Sequence, residues 1–348
     1  MTLVITVLQI IGVVVGVFAC HLLVVALLPG FSVPAQSLEP SVPSRSREAT
    51  PPPSRTDVSF QVNGTSLAAW LYLPDDLTAP VPCVVMANGF GGTRDMLLES
   101  YALRFQRAGL AALAFDYRHF GDSDGEPRQL VWIPYQLQDY AAAVAYARGR
   151  EELDPARIVL WGTSASGGHV IVAAARDHDI ACVVAQCPGL DGRAAALQAY
   201  RKVGIKNGLR LMLHGQRDLV RSWLGLSAHK IPIVGRSGSI ACMPVDDVYE
   251  GYARIASDSF VNEACARITI RGDKYRPVST ARRVRCPVLL LICENDELAP
   301  VSAAEVTAEK LGDLAEVKRY PIGHFDIYFG ANFESSVSDQ LGFLSKYL

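Results

Sequence analysis

The sequence predicts an α/β fold: a mostly parallel central sheet covered by helices on both faces, with an apolar helix ahead of it and a helical cap inserted in it. Three observations predict it. Continuous apolar runs such as "VPCVVMANG" and "CPVLLLICEND" alternate with helical stretches along most of the chain; strands of that kind are buried on both faces, beneath two layers of helices. The stretch from Thr2 to Leu28 is apolar almost without interruption. The interval from Asp191 to Arg285 breaks the alternation of strand and helix.

The chain has 348 residues, half of them hydrophobic, and a formal net charge of -2. That length buries one large core. Near-neutral charge with no basic stripe argues against a nucleic-acid partner, because a phosphate binder concentrates Lys and Arg. The cysteines form no CxxC pair and no Cys/His spacing suited to zinc, so no metal is expected. Cys83, Cys182, Cys286 and Cys293 fall in or beside apolar runs and read as unpaired core thiols, which suits a reducing compartment.

Taken in order, residues 1–28 hold only Gln9 and His21 as strongly polar side chains and are long enough to span a bilayer as a single-pass anchor. The alternatives are an uncleaved signal, an atypical signal peptide cut near "VPAQ", or a start codon placed too early. Arg45, Arg47 and Arg55 follow this segment and no Lys or Arg precedes it, so the positive-inside bias points the rest of the chain to the cytoplasm. Residues 29–56 are Pro/Ser-rich and read as a semi-extended linker. The globular part, 57–348, opens with two alternating runs around Asn63-Gly64, a hairpin turn. Strands are then expected at 81–89, 111–117, 157–162, 180–188, 286–296 and 315–324, with helices at 96–109, 137–149 and 168–176. The insertion at about 191–285 holds helical pieces broken by Gly and Pro; so long an insertion is usually functional, and it reads as a cap.

The turn in "IVLWGTSASGGHVIVAAA" lies between a strand and a helix, at the carboxyl edge of the sheet where open α/β folds bind ligands. A nucleophile there needs small neighbours. Ser164 has Gly162 two before it and Ser166 two after, and is the better placed; Ser166 is the second candidate. A serine needs a base, and the base an orienting carboxylate. His324 follows the last expected strand in "YPIGHFDIY", and Asp296 follows the strand before it in "LLLICENDELAP". Asp191, just after an earlier strand, is the alternative acid. The oxyanion donors expected are the N–H of Ala165 and one from "NGFGGTRD", Phe90 or Gly91, with Phe90 preferred. A dinucleotide loop is rejected because Arg94 stands where GxGxxG needs glycine.

Other polar residues take plainer roles. His119, Asp122 and Asp124 read as turn and hydrogen-bond residues, and His169 as a packing residue. Asp246 and Asp247 have no evident partner in the sequence. Trp132, Tyr200, Met212 and Trp223 are candidates to line an acyl pocket.

With these residues in place the sequence resembles the α/β-hydrolase superfamily over about 57–348. "NGFGGTRD", "FDYRHFGDSDGEPRQ", "LWGTSASGGHV", "VVAQCPGLDG" and "PIGHFDIY" look like the branch of serine esterases and dienelactone-hydrolase-like proteins that also includes polyketide transferases. The resemblance implies Ser164 as nucleophile, His324 as base and Asp296 as acid. It also implies a small-molecule ester or thioester substrate and no metal or organic cofactor. Anchor and apolar cap suit a lipophilic ester. Two departures stand out: Asn88 where many relatives carry the His of an HG pair, and Ser166 where the turn usually carries Gly. An acyltransferase would use the same triad; a peptidase or a non-catalytic binding protein on this fold are the remaining alternatives.

Overall fold

The apolar runs become strands that bury both faces. The computed structural model describes residues 2–28, 31, 33, 38, 54–75 and 77–348. Eight strands form one sheet: β1 (Arg55–Val62), β2 (Thr65–Tyr72), β3 (Val81–Ala87), β4 (Ala111–Phe115), β5 (Leu153–Thr163), β6 (Cys182–Gln186), β7 (Val288–Cys293) and β8 (Ala315–Tyr320). Their spatial order is β1-β2-β4-β3-β5-β6-β7-β8. The β1–β2 and β2–β4 pairs are antiparallel, and every later pair is parallel. Asn63 and Gly64 adopt φ of 47° and 81° between paired Val62 and Thr65. Both angles match the two-residue turn whose twist suits a hairpin. The linker expected over 29–56 lies mostly outside the described residues, and β1 takes its last two positions, Arg55 and Thr56.

Strand side chains alternate between faces, so the sheet carries two cores. Val85, Leu113, Leu160, Val183 and Leu290 pack on one side. Val84, Ala112, Trp161, Val184 and Leu291 pack on the other. The first core takes α3 (Ile133–Arg148), α4 (Ala165–Ala174) and α7 (Val301–Leu311); the second takes α2 (Leu98–Arg107) and α8 (Gly330–Tyr347). All eight cysteines are free thiols, and Cys83, Cys182, Cys286 and Cys293 are buried.

Between β6 and β7 the chain adds nothing to this sheet. It forms α5 (Gly192–Trp223), bent where Gly204 takes a φ of 76°, then α6 (Asp246–Ile255) and a run of short 3-10 turns. A two-residue ladder, Lys230–Ile231 with Ala264–Cys265, ties the segment together. Asp246, without an evident partner in the sequence, accepts hydrogen bonds from the Ser237 amide and hydroxyl in the first turn of α6. The apolar N-terminal stretch is one helix, α1 (Thr2–Leu27); from Val4 to Leu27 its mean hydropathy is 2.8, enough to cross a membrane or to serve as a signal sequence.

The loop after β4 is held to α3 by a buried ion pair. Arg118 Nε donates to Asp139 Oδ1 at 2.6 Å, its backbone N–H donates to Asp139 Oδ2 at 3.0 Å, and the Asp139 side chain is fully buried. Removing one partner leaves the other charge buried and alone. Asp139→Ala is therefore expected to lower stability by about 3 kcal/mol in urea unfolding, and Asp139→Asn by less because the amide oxygen still accepts from one of the two Arg118 donors.

Candidate active site

The site begins with a backbone constraint. β5 ends at Thr163 and α4 starts at Ala165, which leaves Ser164 alone to reverse the chain. It does so with φ 56° and ψ -122°, a conformation that L-residues rarely adopt. Three hydrogen bonds hold it. The Ser164 N–H donates to the Gln186 carbonyl at 2.9 Å, and its carbonyl accepts from Gly167 at 3.0 Å and Gly189 at 2.7 Å. Close approach explains two glycines: a Cβ on Gly162 would overlap the Ser166 carbonyl, and one on Gly89 would stand 2.8 Å from Ser164 Cβ.

The turn aims the two serines in opposite senses. Ser164 Oγ lies 3.1 Å from His324 Nε2. Ser166 is fully buried; its hydroxyl donates to the Asn88 carbonyl and accepts from Tyr117 at 2.5 Å. It touches no histidine.

His324 sits on the turn after β8, and its Nδ1 lies 2.5 Å from Asp296 Oδ2. Asp296 follows β7, and its Oδ1 accepts from the Leu298 and Ala299 N–H groups at 2.8 and 2.7 Å. With Oδ1 held by two backbone donors and Oδ2 by the imidazole, the carboxylate cannot swing away from His324 cheaply. Burial disfavours the imidazolium, but the negative charges of the Asp296 carboxylate and the Cys187 thiolate together outweigh it, and His324 is pushed up to about 9. Asp191 is elsewhere: it caps α5 through the Arg193 and Ala194 N–H groups and pairs with Arg276 at 2.8 Å.

Ala165 is the first residue of α4, where helix N–H groups lack intrahelical acceptors. Phe90 lies in the loop after β3, and among the described residues its N–H donates to no protein acceptor. Asn88 braces that loop from within. Its amide donates to the Thr93 and Met96 carbonyls at 2.9 and 2.8 Å, and its Oδ1 accepts from Gly89 at 2.8 Å. From α6, the Tyr252 hydroxyl donates to the Phe90 carbonyl at 2.7 Å. The space over Ser164 is a slot of about 10 Å³, bordered by Phe90, Met96, Tyr252, Ile255, Phe325 and Tyr328 among others.

A family model described as "X-Pro dipeptidyl-peptidase (S15 family)" matches residues 63–227. The chain is 40% identical to the "Quorum-quenching protein AidA" of Acinetobacter baumannii (strain MDR-ZJ06), over 85% of this chain and 96% of that one. It is 26% identical to "Thiohydrolase aneE" of Aspergillus aculeatus, over 84% and 93%. Among solved structures, the "Alpha/beta hydrolase GrgF" from Penicillium sp. sh18 superposes with a TM-score of 0.72 at 24% identity, over 84% of this chain and 98% of that one. The chain belongs to the α/β-hydrolase superfamily. The sheet of this hydrolase is the mostly parallel, helix-covered one read from the sequence.

Several residues of this α/β hydrolase lie apart from where the sequence pointed. Tyr200, Met212 and Trp223, candidates for an acyl pocket, stand on the outer face of α5, with Trp223 65% exposed. Trp132 lies under the Arg271 guanidinium, 4.7 Å away. The slot borders missed in the sequence are Tyr252, Ile255, Phe325 and Tyr328; only Phe325 carried a signal, being next to His324. His169 is buried between Tyr275 and Gln136, and burial pushes it down to about 3, so it stays neutral. Asp122 pairs with Arg94 at 2.7 Å beside the buried Arg94–Asp116 pair, and the Asp124 carbonyl accepts from the His119 amide. Among the described residues no group of three or more His, Cys, Asp or Glu is arranged to hold a metal.

With His324 held at about 9, the neutral imidazole fraction grows with pH. A reaction that uses it as a base is expected to show kcat/KM rising with a midpoint near 9 in the free protein. Asp296→Asn leaves burial to dominate, and the midpoint should move down in a pH–rate profile. The sign for stability is the reverse: the ion pair contributes fully below the ordinary value of 6.5 and its contribution is lost as pH rises through about 9.

Proposed function

We propose that this chain is a serine hydrolase of small carboxylic esters or thioesters, working through an acyl-enzyme on Ser164. The observation that carries the reading is the hydrogen-bonded series Ser164–His324–Asp296, 3.1 and 2.5 Å long. His324 takes the Ser164 proton as the hydroxyl attacks the carbonyl carbon; Asp296 holds the imidazole by Nδ1–H and stabilises its cation. The Phe90 and Ala165 N–H groups receive the oxyanion, a contribution of about 3 kcal/mol for each donor in comparable sites. His324 then returns the proton to the leaving alcohol or thiol. Water, deprotonated by the same imidazole, cleaves the acyl-serine and restores the hydroxyl.

The slot supports a lipophilic acyl group, because its borders are mostly aromatic and aliphatic. At about 10 Å³ it holds no more than a water, so an acyl chain enters as α6 draws Tyr252 and Ile255 aside. In this reading residues 191–285 are a cap on a catalytic domain of 57–348, and α1 is a single-pass anchor with that domain on the cytoplasmic side. The names of the relatives support thioester and signal-molecule chemistry as the first substrates to try. A peptidase acting from the N-terminus must hold the free ammonium of its substrate, and none of the described residues bordering the slot is acidic. An acyltransferase differs only in what accepts the acyl group, and adding methanol or a thiol to the assay measures that partition.

A fluorophosphonate probe is expected to label Ser164 and not Ser166 by peptide mapping. Ser164→Ala should abolish labelling and lower p-nitrophenyl ester hydrolysis by about a million-fold. Labelling at Ser166, or none in folded protein, overturns the assignment. Tyr252→Phe removes the bond to the Phe90 carbonyl, worth about 1 kcal/mol. It is expected to lower kcat severalfold with KM nearly unchanged, whereas a purely structural role would move stability alone.

A further inference from the structure

The outer face of α5 is not an ordinary solvated surface. Ile205 is 80% exposed and Trp223 65%, and Leu197, Tyr200, Leu209 and Met212 are exposed with them. On the stretch after the bend at Gly204, Ile205, Leu209, Met212 and Trp223 recur at helical spacing on one side. Lys206, Arg210, Arg217 and Arg221 recur four, seven and four residues apart along the neighbouring side. The one acid of the helix, Asp218, is fully buried against Arg267. An apolar row beside a basic row, with a tryptophan among the apolar residues, is the pattern of helices that lie in a membrane interface.

A second, independent observation says which surface covers it. The C-terminal end of α1 docks on this helix. Arg217 donates to the Val25 and Leu28 carbonyls at 2.7 and 3.0 Å, and Arg221 to the Ala26 carbonyl at 3.0 Å. Those are the carbonyls that a helix end leaves without partners. Val25 and Ala26 are buried at this junction, whereas α1 from Val4 to Cys20 is exposed along its length. Phe31, just past α1, stacks beneath Arg217, 5.1 Å from it. The helix long and apolar enough to cross a bilayer therefore ends against the basic row of α5, where guanidinium groups sit at the level of the headgroups.

We propose that the exposed face of α5 lies on the surface of the bilayer that α1 enters, its apolar row among the upper acyl segments and its cations on anionic phospholipid headgroups. The far end of the same helix reaches the loop of Asp296, where Lys202 pairs with Glu297 at 2.5 Å and Gln198 donates to the Glu297 carbonyl at 2.7 Å. The interface thus runs from the anchor to the rim of the site. None of this depends on the catalytic roles of Ser164, His324 and Asp296.

The full chain, reconstituted in nanodiscs of phosphatidylcholine with or without phosphatidylglycerol, tests it by quenching of tryptophan fluorescence with lipids brominated near the headgroup. Trp70 and Trp161 are buried, which leaves Trp223 as the exposed reporter and Trp132 half-buried. Quenching is expected in the discs, stronger with phosphatidylglycerol, and mostly lost in Trp223→Phe. It should return when Ile205→Trp is added to that variant, but not when Leu77→Trp is added, since Leu77 borders Glu152 at the opposite edge of the sheet. Lys206→Glu with Arg210→Glu should cut the quenching severalfold. Quenching that is absent, or unchanged in Trp223→Phe, overturns the proposal. So does a dimer that Trp223→Glu dissociates, which would give the face to a second copy of the chain.

Discussion

The geometry of the site rests on the backbone of one residue. Ser164 turns the chain from β5 into α4 at φ 56° and ψ -122°, which costs of order 1–3 kcal/mol and persists only when its surroundings over-determine it. They do so through the sheet: the N–H continues the ladder to β6 at Gln186, and the carbonyl takes one donor from the first turn of α4, Gly167, and one from the loop after β6, Gly189. The strain sets the hydroxyl above the edge of the sheet and presents the Ala165 N–H beside it.

The second support is a set of polar groups that occupy each other fully. Ser166, in place of the glycine usual at that point of the turn, binds the Asn88 carbonyl and Tyr117. Asn88, in place of a histidine, spends its amide within the loop that carries Phe90. The two departures meet only through the main chain, since the Ser166 hydroxyl donates to the backbone carbonyl of residue 88 and the Asn88 amide group bonds elsewhere. Tyr252 extends the coupling to α6, with its ring 5.6 Å from Phe325 and its hydroxyl on the Phe90 carbonyl. Movement of α6 is felt at the loop of Phe90 and beside His324 at once.

The insertion between β6 and β7 joins two ends of the molecule that the sheet alone would keep apart. α6 covers Ser164, and α5 runs from the Asp296 loop to the end of α1. Its arginines do two things there, satisfying the carbonyls of α1 and keeping charge at the outer surface. A helix that borders the slot and one that meets the end of α1 belong to one segment, so the slot and the N-terminal helix share a scaffold.

Much of this was legible in the sequence. Continuous apolar runs locate five of the eight strands, since burial on both faces leaves no polar alternation to confuse them, and Asn63-Gly64 marks the turn between two others; β8, AEVKRY, is a mostly charged edge strand that no such run marks. Residue types with chemistry at strand ends are equally visible, because a strand's end is a local property of the chain. The choice between Ser164 and Ser166, or Asp296 and Asp191, is different in kind: each pair differs only in which way a side chain points across the fold, and Arg276, which takes Asp191, is 85 residues away. The same holds for α5 and α6. Tyr200, Met212 and Trp223 look like pocket residues and face outward, while Tyr252 looks like any helix aromatic and closes the slot. Periodicity and turn chemistry act over a few residues, so the sequence alone determines the elements and their order. Which hydroxyl meets the imidazole, and which apolar row borders the slot or faces outward, is decided only when distant elements pack, because only packing fixes direction.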